Sequence, residues 1–293
     1  METLIAKANI LIEALPYIRK FFKKTFVIKY GGAAMSEPAL KEAFAQDVVL
    51  LNFISIKPVI VHGGGPKINS IMEKMGKKPS FVKGQRVTDQ DTMEIVEMVL
   101  GGLINKEIVS LINSHGGSAI GLTGKDGRFI QARKKVIERV SAETGESEII
   151  DLGLVGEVEK VDPRVILSLQ NQGFIPVIAP IGVGQENVTF NINADYVAAS
   201  VASALKADKL VLLTDVSGIL DMNKQLMPSL NAKDVFELEN QGVISGGMIP
   251  KVSACLESLN QGVAKAHIID GRISHALLLE IFTQKGIGTE IVL

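Results

Sequence analysis

The sequence predicts an α/β protein in which an open, mainly parallel central sheet is sandwiched by helices. Short apolar runs recur along the chain, and most do not alternate with polar residues, as expected for strands that are covered on both faces. Helical patterns lie between consecutive runs, and glycine-rich turns join several runs to the next helix. Strands that alternate with helices need right-handed crossover connections, which favour a parallel sheet.

Six apolar runs are predicted to form core strands, because they are short and bounded by turn residues: 25–30, 58–61, 119–122, 174–181, 209–213 and 267–269. Apolar residues at helical spacing predict intervening helices: 67–75, 92–114, 163–172, 194–205, 249–261 and 275–283. Between 125 and 160 the apolar runs are shorter and charges are numerous, with a turn signal at 144–147. This pattern indicates β-hairpins beside the main sheet.

The first twenty residues are predicted to form an amphipathic helix. Apolar side chains recur there at helical spacing: Leu4, Ala8, Leu11, Leu15 and Ile18. Pro16 lacks a backbone donor and is expected to kink or interrupt the helix. Composition leaves two roles open for the apolar face, namely packing on its own domain or pairing with another subunit.

Composition sets limits on the size of the core and on possible partners. With 293 residues and 46% hydrophobic content, the chain can bury a sizeable core, and the absence of a flexible linker favours two lobes that share one sheet. A net charge of −1 offers no broad attraction for nucleic acid or an anionic membrane. The single cysteine, Cys255, fits a reducing compartment. We expect a cytoplasmic protein, since the first residues do not resemble a signal peptide.

Two glycine-rich turns follow predicted strands and are candidates for binding phosphate. In the segment FVIKYGGAAM (26–35), Gly31 and Gly32 permit backbone conformations closed to other residues, and Lys29 would place a point charge at the strand end. In PVIVHGGGP (58–66), three glycines stand between a strand and a proline suited to the first turn of a helix. Tight turns without a ligand are the alternative interpretation.

Several familiar signatures are missing from the sequence. No glycine–lysine pair is followed by Ser or Thr, and no glycine run reads G-x-G-x-x-G, which disfavours P-loop hydrolases and dinucleotide oxidoreductases. The four histidines are far apart and lack zinc-site spacing. Each histidine is therefore interpreted first as structural.

Three further segments contain candidate residues. Asn191, Asn193 and Asp195 precede a small-residue helix that needs only one of them as its N-cap. The segment LVLLTDVSGIL (210–220) ends the most hydrophobic strand, at the sheet edge where open α/β proteins bind ligands. In SGGMIPK (245–251), Lys251 falls in the first turn of a helix, where a cation opposes the helix dipole unless an anion lies between them. Lys29 and Lys251 together suggest a polyphosphate held from two sides, with a solvated Lys251 as the alternative.

The sequence resembles the amino-acid kinase family over nearly all of residues 26–293. The resemblance rests on six blocks: VIKYGGAAM, VHGGGPKIN, GQRVTD (84–89), NINAD (191–195), LLTDVSGIL and SGGMIPKV. They are most similar to the blocks of members that act on N-acetyl-L-glutamate. The resemblance implies transfer of the ATP γ-phosphoryl group to the side-chain carboxylate of that acid, in arginine biosynthesis. An ionised carboxylate is already a nucleophile, which agrees with the lack of a candidate general base.

The resemblance also implies roles for individual residues. Lys29 and Lys251 would stabilise the transferring phosphoryl group, and Asp195 would orient both lysines. The residues implied for the acyl substrate are Gly64, Gly65, Arg86 and Asn191. Those implied for the nucleotide are Gly31, Gly32, Thr214, Asp215, Val216, Ser217, Gly218, Ile219, Val243, Ile244 and Ser245. Mg²⁺ is expected on the ATP phosphates without direct protein ligands.

Arginine-inhibited members of the family carry an extra N-terminal helix that interlaces dimers into a hexamer, and a C-terminal segment similar to 267–288. The arginine site implied here consists of Lys209, His267, Glu280, Gly286 and Gly288. We therefore expect a dimer within a hexamer, inhibited by arginine. Residues 1–22 would be the oligomerisation helix, 23–174 the acyl-substrate and dimerisation lobe, and 175–293 the nucleotide and arginine lobe. A PII-type signalling protein is a further partner that the resemblance allows.

Two rival functions remain. A sibling kinase could act on another small acid such as glutamate or aspartate, and Arg86 with the HGGG turn argues against it only by resemblance. A nucleotide-binding regulatory protein without turnover belongs to a different class. It is disfavoured because Lys29, Asp195 and Lys251 are all present.

Overall fold

The computed structural model describes residues 2–140, 147–283 and 285–293. The first three residues of the turn signal at 144–147 lie outside the described residues. Within the described residues the α-helices are α1 (Glu2–Phe21), α2 (Pro38–Phe53), α3 (Gly65–Lys74), α4 (Gln90–Glu97), α5 (Asn105–Ser114), α6 (Arg164–Asn171), α7 (Ala194–Leu205), α8 (Ala232–Asn240), α9 (Ile249–Asn260) and α10 (Ala276–Ile281). A π-helical segment, Met98–Ile104, joins α4 to α5.

The strands of the described residues fall into one large sheet and several smaller ones. They are β1 (Thr25–Tyr30), β2 (Lys57–His62), β3 (Phe81–Val82), β4 (Gln85–Arg86), β5 (Ala119–Thr123), β6 (Ile130–Lys134), β7 (Ile137–Val140), β8 (Ser147–Ile150), β9 (Val155–Val161), β10 (Ile175–Ala179), β11 (Ile181–Val183), β12 (Thr189–Ile192), β13 (Lys209–Thr214), β14 (Ser229–Asn231), β15 (Ala266–Asp270) and β16 (Thr289–Val292).

Eight strands form the central sheet, in the order β14-β16-β15-β13-β1-β2-β10-β5. All neighbouring pairs are parallel apart from β15 with β16. In β1, Phe26 and Ile28 pack in a cluster with α2, α5 and α10, whereas Val27 packs on the opposite face with α7 and α9. Helices therefore cover both faces, which explains the non-alternating apolar runs. The predicted fold class is confirmed.

The region predicted to contain β-hairpins forms strands beside the main sheet. Strands β6 and β9 pair antiparallel and close into a four-stranded sheet with β11 and β12. Strands β7 and β8 form a separate antiparallel pair. The hairpin prediction is therefore correct, although β11 and β12 could not be assigned to this sheet from local sequence.

One predicted strand and one of the two effects predicted for Pro16 differ from the structure. The run 174–181 is divided into β10 and β11, because Pro180 separates strands that belong to different sheets. Helix α1 is not interrupted at Pro16. Pro16 and Ile12 are both exposed, so water can satisfy the carbonyl that loses its intrahelical partner.

The central sheet runs through both predicted lobes. Strands β1, β2 and β5 from the first lobe adjoin β13, β15 and β16 from the second. Strand β10 follows residue 174, yet it lies between β2 and β5. The division at 174 stays a prediction. None of the described helices is both long enough and apolar enough to cross a membrane.

Candidate active site

The two glycine-rich turns meet at the carboxyl edge of the central sheet. Strands β1 and β2 are paired in register up to Tyr30 and His62, so their following turns leave the sheet side by side. The Gly63 N–H donates to the Tyr30 carbonyl at 2.7 Å, which ties the second turn to the end of β1. The structure therefore brings together the two candidate phosphate-binding turns.

A buried carboxylate lies between the two lysines singled out in the sequence. Asp195 is 4% exposed, and its Oδ1 lies 3.1 Å from Lys29 Nζ while its Oδ2 lies 2.9 Å from Lys251 Nζ. Asp195 is in the first turn of α7, where the Asn193 side chain accepts a hydrogen bond from its backbone N–H. Asn193 is thus the N-cap that the sequence left undecided.

The charges in this cluster do not cancel. Burial tends to raise the pKa of Asp195, but the ammonium groups of Lys29 and Lys251 outweigh it and hold that pKa below its ordinary value. Asp195 is therefore ionised at neutral pH, and the three side chains carry a net positive charge. Such a cluster at a sheet edge favours an anionic ligand.

Two cavities adjoin at the HGGG turn. The first, of about 500 Å³, is lined by Lys29, Gly31, Gly32 and Asp195. The second, of about 530 Å³, is lined by Arg86 and Asn191. Both are also lined by residues 63–65 and 193–194. The glycine turn is therefore the boundary where a group bound on one side can react with a group bound on the other.

Arg86 is a cation available to a ligand in the second cavity. It is 7% exposed, and its Nη2 donates to Asn69 Oδ1 at 2.5 Å and to the Gly65 carbonyl at 3.2 Å. Its guanidinium carbon lies 4.8 Å from the centroid of the Phe81 ring. No carboxylate among the described residues pairs with it. A buried guanidinium held by neutral partners favours a carboxylate ligand.

Gly64 has a packing reason to be glycine. A Cβ at this position would lie 2.5 Å from Ile104 Cδ1 and 2.6 Å from Leu100 Cδ2. Both side chains belong to the π-helical segment, so this segment presses directly on the boundary between the cavities. A residue larger than glycine would require the Ile104 and Leu100 side chains to move away from the turn.

The residues predicted to bind the nucleotide lie in two segments. Thr214 ends β13 and residues 215–219 follow it. A Cβ on Gly32 would come within 3.7 Å of the Asp215 nitrogen, so this segment adjoins the first glycine turn. Gly218 has a φ of +139°, and a Cβ there would lie 2.6 Å from Thr289 Oγ1. Residues 243–245 precede the 3₁₀ turn that leads into α9 and Lys251. Neither segment lines the two cavities within the described residues.

The acidic side chains near the centre give little support for direct metal coordination. Among the described residues, no group of three or more His, Cys, Asp or Glu side chains is arranged to hold a metal ion. Asp195, the carboxylate at the centre, is paired with two ammonium groups. A metal ion here would fit only as part of a bound polyphosphate.

A third cavity, of about 890 Å³, is lined by all five residues predicted to bind arginine: Lys209, His267, Glu280, Gly286 and Gly288. Tyr17, Lys20 and Phe21 from α1 line it as well. The His267 ring lies between Glu280 and Lys209. Its Nδ1 is 2.7 Å from Glu280 Oε1, and its Nε2 is 2.8 Å from Lys209 Nζ. Burial lowers the pKa of Lys209 to about 8. The cavity thus contains buried groups of both signs, as an amino-acid ligand requires.

Residues 24–270 match the family described as Amino acid kinase family. The chain belongs to the amino acid kinase family. The acetylglutamate kinase of Syntrophus aciditrophicus (strain SB) is 56% identical, over 98% of this chain and 97% of the relative. The acetylglutamate kinase of Chromobacterium violaceum is 57% identical, over 97% of each chain.

Solved structures with the same fold include two of one enzyme. An N-acetylglutamate synthase from Neisseria gonorrhoeae, complexed with coenzyme A and N-acetyl-glutamate, superposes with a TM-score of 0.83 at 26% identity. The match covers 98% of this chain but only 63% of the synthase, so the chain spans less than two thirds of that protein's length. The same synthase complexed with L-arginine superposes with a TM-score of 0.79.

Sequence reasoning missed two contributors to the site of this family member. One is Asn69, which contacts Arg86. Asn69 lies four residues after Gly65 on α3, and residues four apart share one helix face, so this spacing was the available signal. The π-helical segment behind Gly64 was predicted as part of an ordinary helix at 92–114. Its paired glycines, Gly101 and Gly102, were the only local sign of irregularity.

Proposed function

We propose that the chain is an acetylglutamate kinase. It would transfer the γ-phosphoryl group of ATP to the side-chain carboxylate of N-acetyl-L-glutamate and yield N-acetyl-L-glutamyl 5-phosphate and ADP. The observation that carries the proposal is the buried Lys29–Asp195–Lys251 cluster beside the glycine turn that separates two cavities. Relatives with this activity in their names, similar over nearly their whole length, support the choice of substrate.

Recognition of the acceptor would depend on the second cavity. Arg86 would exchange the 3.2 Å contact of its Nη2 with the Gly65 carbonyl for two parallel hydrogen bonds to the α-carboxylate. The side-chain carboxylate would then be free to approach the turn at 63–65. Asn191, whose Nδ2 donates to Thr88 Oγ1 at 3.3 Å, would present its amide oxygen to the acetamido N–H. Gly64 and Gly65 would contribute backbone N–H groups.

The transfer step requires alignment and charge neutralisation rather than proton transfer. A carboxylate oxygen of the acceptor attacks the γ-phosphorus, and the bond to the bridging oxygen breaks with its electron pair leaving on ADP. Lys29 and Lys251 would contact the equatorial oxygens as negative charge is redistributed. Asp195 would keep both ammonium groups in place before the substrates arrive, so little reorganisation is needed during the reaction.

The nucleotide would occupy the sheet edge beyond β13. Gly31 and Gly32 would bind phosphate oxygens through their N–H groups, and residues 214–219 and 243–245 would contact the rest of ATP. Mg²⁺ bound to the phosphate oxygens would supply further charge neutralisation. The protein residues would then hold the metal indirectly, through the nucleotide.

An ADP-release assay tests the proposed function. With ATP and Mg²⁺ present, we expect turnover with N-acetyl-L-glutamate and at most a few per cent of that rate with glutamate or aspartate. Equal rates with free glutamate would favour a sibling kinase. No ADP with any of the three acids would favour a binding protein without turnover.

We further propose that arginine binds the third cavity and inhibits a hexamer. Glu280 would bind the guanidinium group, and the lining contributed by α1 would connect the cavity to the assembly. Six large apolar side chains of α1 are exposed in the single chain: Leu4, Ile5, Ile10, Leu11, Ile12 and Leu15. An apolar face of this kind fits pairing with the same helix of another dimer. Docking of a PII-type protein stays a prediction.

Replacing Glu280 with glutamine is expected to weaken inhibition by arginine about tenfold or more, because a neutral amide cannot form a charge-assisted pair with guanidinium. Each variant's rate with arginine is compared with its own rate without arginine.

Deleting residues 1–22 is expected to reduce the mass measured by light scattering from six chains to two. A wild-type dimer, or a rate insensitive to millimolar arginine, would contradict this proposal.

A further inference from the structure

Two buried polar side chains near the HGGG turn have no part in the transfer step described above. His62 ends β2 and Asn105 begins α5, and both are fully buried. Neither lines the first or the second cavity. His62 nevertheless precedes the three glycines directly, so any constraint on its side chain acts on the turn.

The contacts of Asn105 determine which nitrogen of His62 carries the proton. Asn105 Nδ2 lies 2.9 Å from the Val177 carbonyl oxygen, which can only accept, so the amide nitrogen is on that side. The same Nδ2 lies 3.3 Å from His62 Nε2 and 3.5 Å from the Leu122 carbonyl oxygen, and its second hydrogen is assigned to the shorter of these two contacts. Since an amide nitrogen can only donate, Nε2 is the unprotonated acceptor and Nδ1 carries the hydrogen.

The Nδ1–H of His62 then donates to the Gly63 carbonyl oxygen at 2.9 Å. Burial lowers the pKa of His62 to about 4, so at physiological pH the imidazole is neutral and carries a single ring hydrogen. Because a trans peptide is planar, its carbonyl and N–H groups point in opposite directions. Holding the Gly63 carbonyl towards His62 therefore turns the Gly64 N–H away from it.

Neither residue that flanks this peptide has a Cβ, so side-chain sterics at these two positions do not fix its orientation. Gly64 lines both cavities, and its N–H donates to no other backbone group within the described residues. If the Gly63–Gly64 peptide turned over, a carbonyl oxygen would face the anionic substrates in place of a donor. The orientation of this one peptide therefore matters for a reaction between two anions.

The placement of Asn105 depends on a distant glycine. A Cβ on Gly121 of β5 would lie 1.7 Å from Asn105 Oδ1, so only glycine leaves room for the amide. Asn105 Oδ1 itself has no hydrogen-bond partner within the described residues. A buried amide oxygen without a partner is unfavourable. The polar contacts of the Asn105 amide are therefore made by Nδ2, with His62, Val177 and the Leu122 carbonyl oxygen.

We propose that His62 is a positioning residue for phosphoryl transfer. His62 fixes the Gly63–Gly64 peptide so that the Gly64 N–H faces the reacting groups, and Asn105 holds the His62 imidazole in the Nδ1–H tautomer. This inference rests on the proposed function and extends it to two residues that touch no substrate.

The first test compares two replacements of His62. His62→Asn keeps an N–H donor at the place of Nδ1, whereas His62→Leu removes it. Loss of one oriented backbone donor typically lowers turnover by ~10²-fold. We expect a fall of that order in kcat for His62→Leu, smaller changes in both KM values, and recovery of most of the loss in His62→Asn. A merely structural role predicts equal kcat for both variants once the folded fraction, measured by thermal melting, is taken into account.

The second test uses the wild-type protein and does not depend on activity. Solid-state NMR of protein labelled with ¹⁵N-histidine, with His62→Asn used to assign the resonance, is expected to show a protonated Nδ1 and an unprotonated Nε2 from pH 5.5 to 8. A protonated Nε2 in an active enzyme would overturn this inference alone, as would wild-type kcat in His62→Leu. A wild-type chain that releases no ADP with N-acetyl-L-glutamate would instead contradict the proposed function.

Discussion

Replacing Lys251 with alanine is expected to lower kcat about 10²- to 10³-fold, the usual effect of removing one electrostatic stabiliser from a transition state. Lys251 Nζ lies 2.9 Å from Asp195 and is paired with no other carboxylate among the described residues. The contact of its ammonium group with the γ-phosphoryl oxygens would become stronger only in the transition state, as negative charge is redistributed. The KM for N-acetyl-L-glutamate should therefore change much less than kcat.

The matched control for Lys251→Ala is Lys233→Ala. Lys233 lies on α8 with a side chain that is 83% exposed, and its contact with Glu237 is 3.8 Å long. We expect wild-type kinetics from this variant. Steady-state ADP release measures both proteins, and thermal melting verifies that each is folded. A Lys251→Ala rate within threefold of wild type would remove Lys251 from the proposed mechanism.

Replacing Arg86 with leucine is expected to raise the KM for N-acetyl-L-glutamate about 10²-fold or more. The variant loses two charge-assisted hydrogen bonds to the α-carboxylate, each contributing roughly 1.5–3 kcal/mol. Arg86→Lys should give an intermediate value, because an ammonium group keeps the charge but cannot form the bidentate pair. The KM for ATP should change little, since Arg86 lines only the second cavity.

Arg164→Leu is the control for Arg86→Leu. The Arg164 side chain is 86% exposed and pairs with Asp162 at the surface. Both KM values should be unaffected by its replacement. If Arg86→Leu raised the KM for ATP and left the KM for N-acetyl-L-glutamate unchanged, the assignment of the two substrates to the two cavities would be wrong.

Much of this site could be predicted because its components are local in sequence. A strand, a lysine and two glycines stand consecutively at 26–32, and local rules are sufficient to place Lys29 at a strand end. The helix at 194–205 was also predicted with its observed bounds, since small residues follow a cluster of capping residues. Resemblance to a family then supplied the pairing of Lys29 with Lys251.

Other features depend on contacts that no local pattern encodes. Helix α2 was missed because seven apolar residues and Asp47 are buried along it. The helix therefore has no clear polar face, and its apolar residues do not recur at an obvious helical spacing. Helix α8 was missed for the opposite reason, since Val235 is its only buried residue. The position of β10 between β2 and β5 is a consequence of tertiary pairing alone.

The Lys29–Asp195–Lys251 cluster joins three elements that are far apart in the chain. Strand β1 carries the first side chain, α7 the second and α9 the third, and β1 itself pairs with β13, which is made much later during synthesis. Contacts of such long sequence separation form late and slowly in folding. A nascent chain therefore cannot assemble the cluster until α9 has left the ribosome, and shorter products of interrupted translation would lack it entirely.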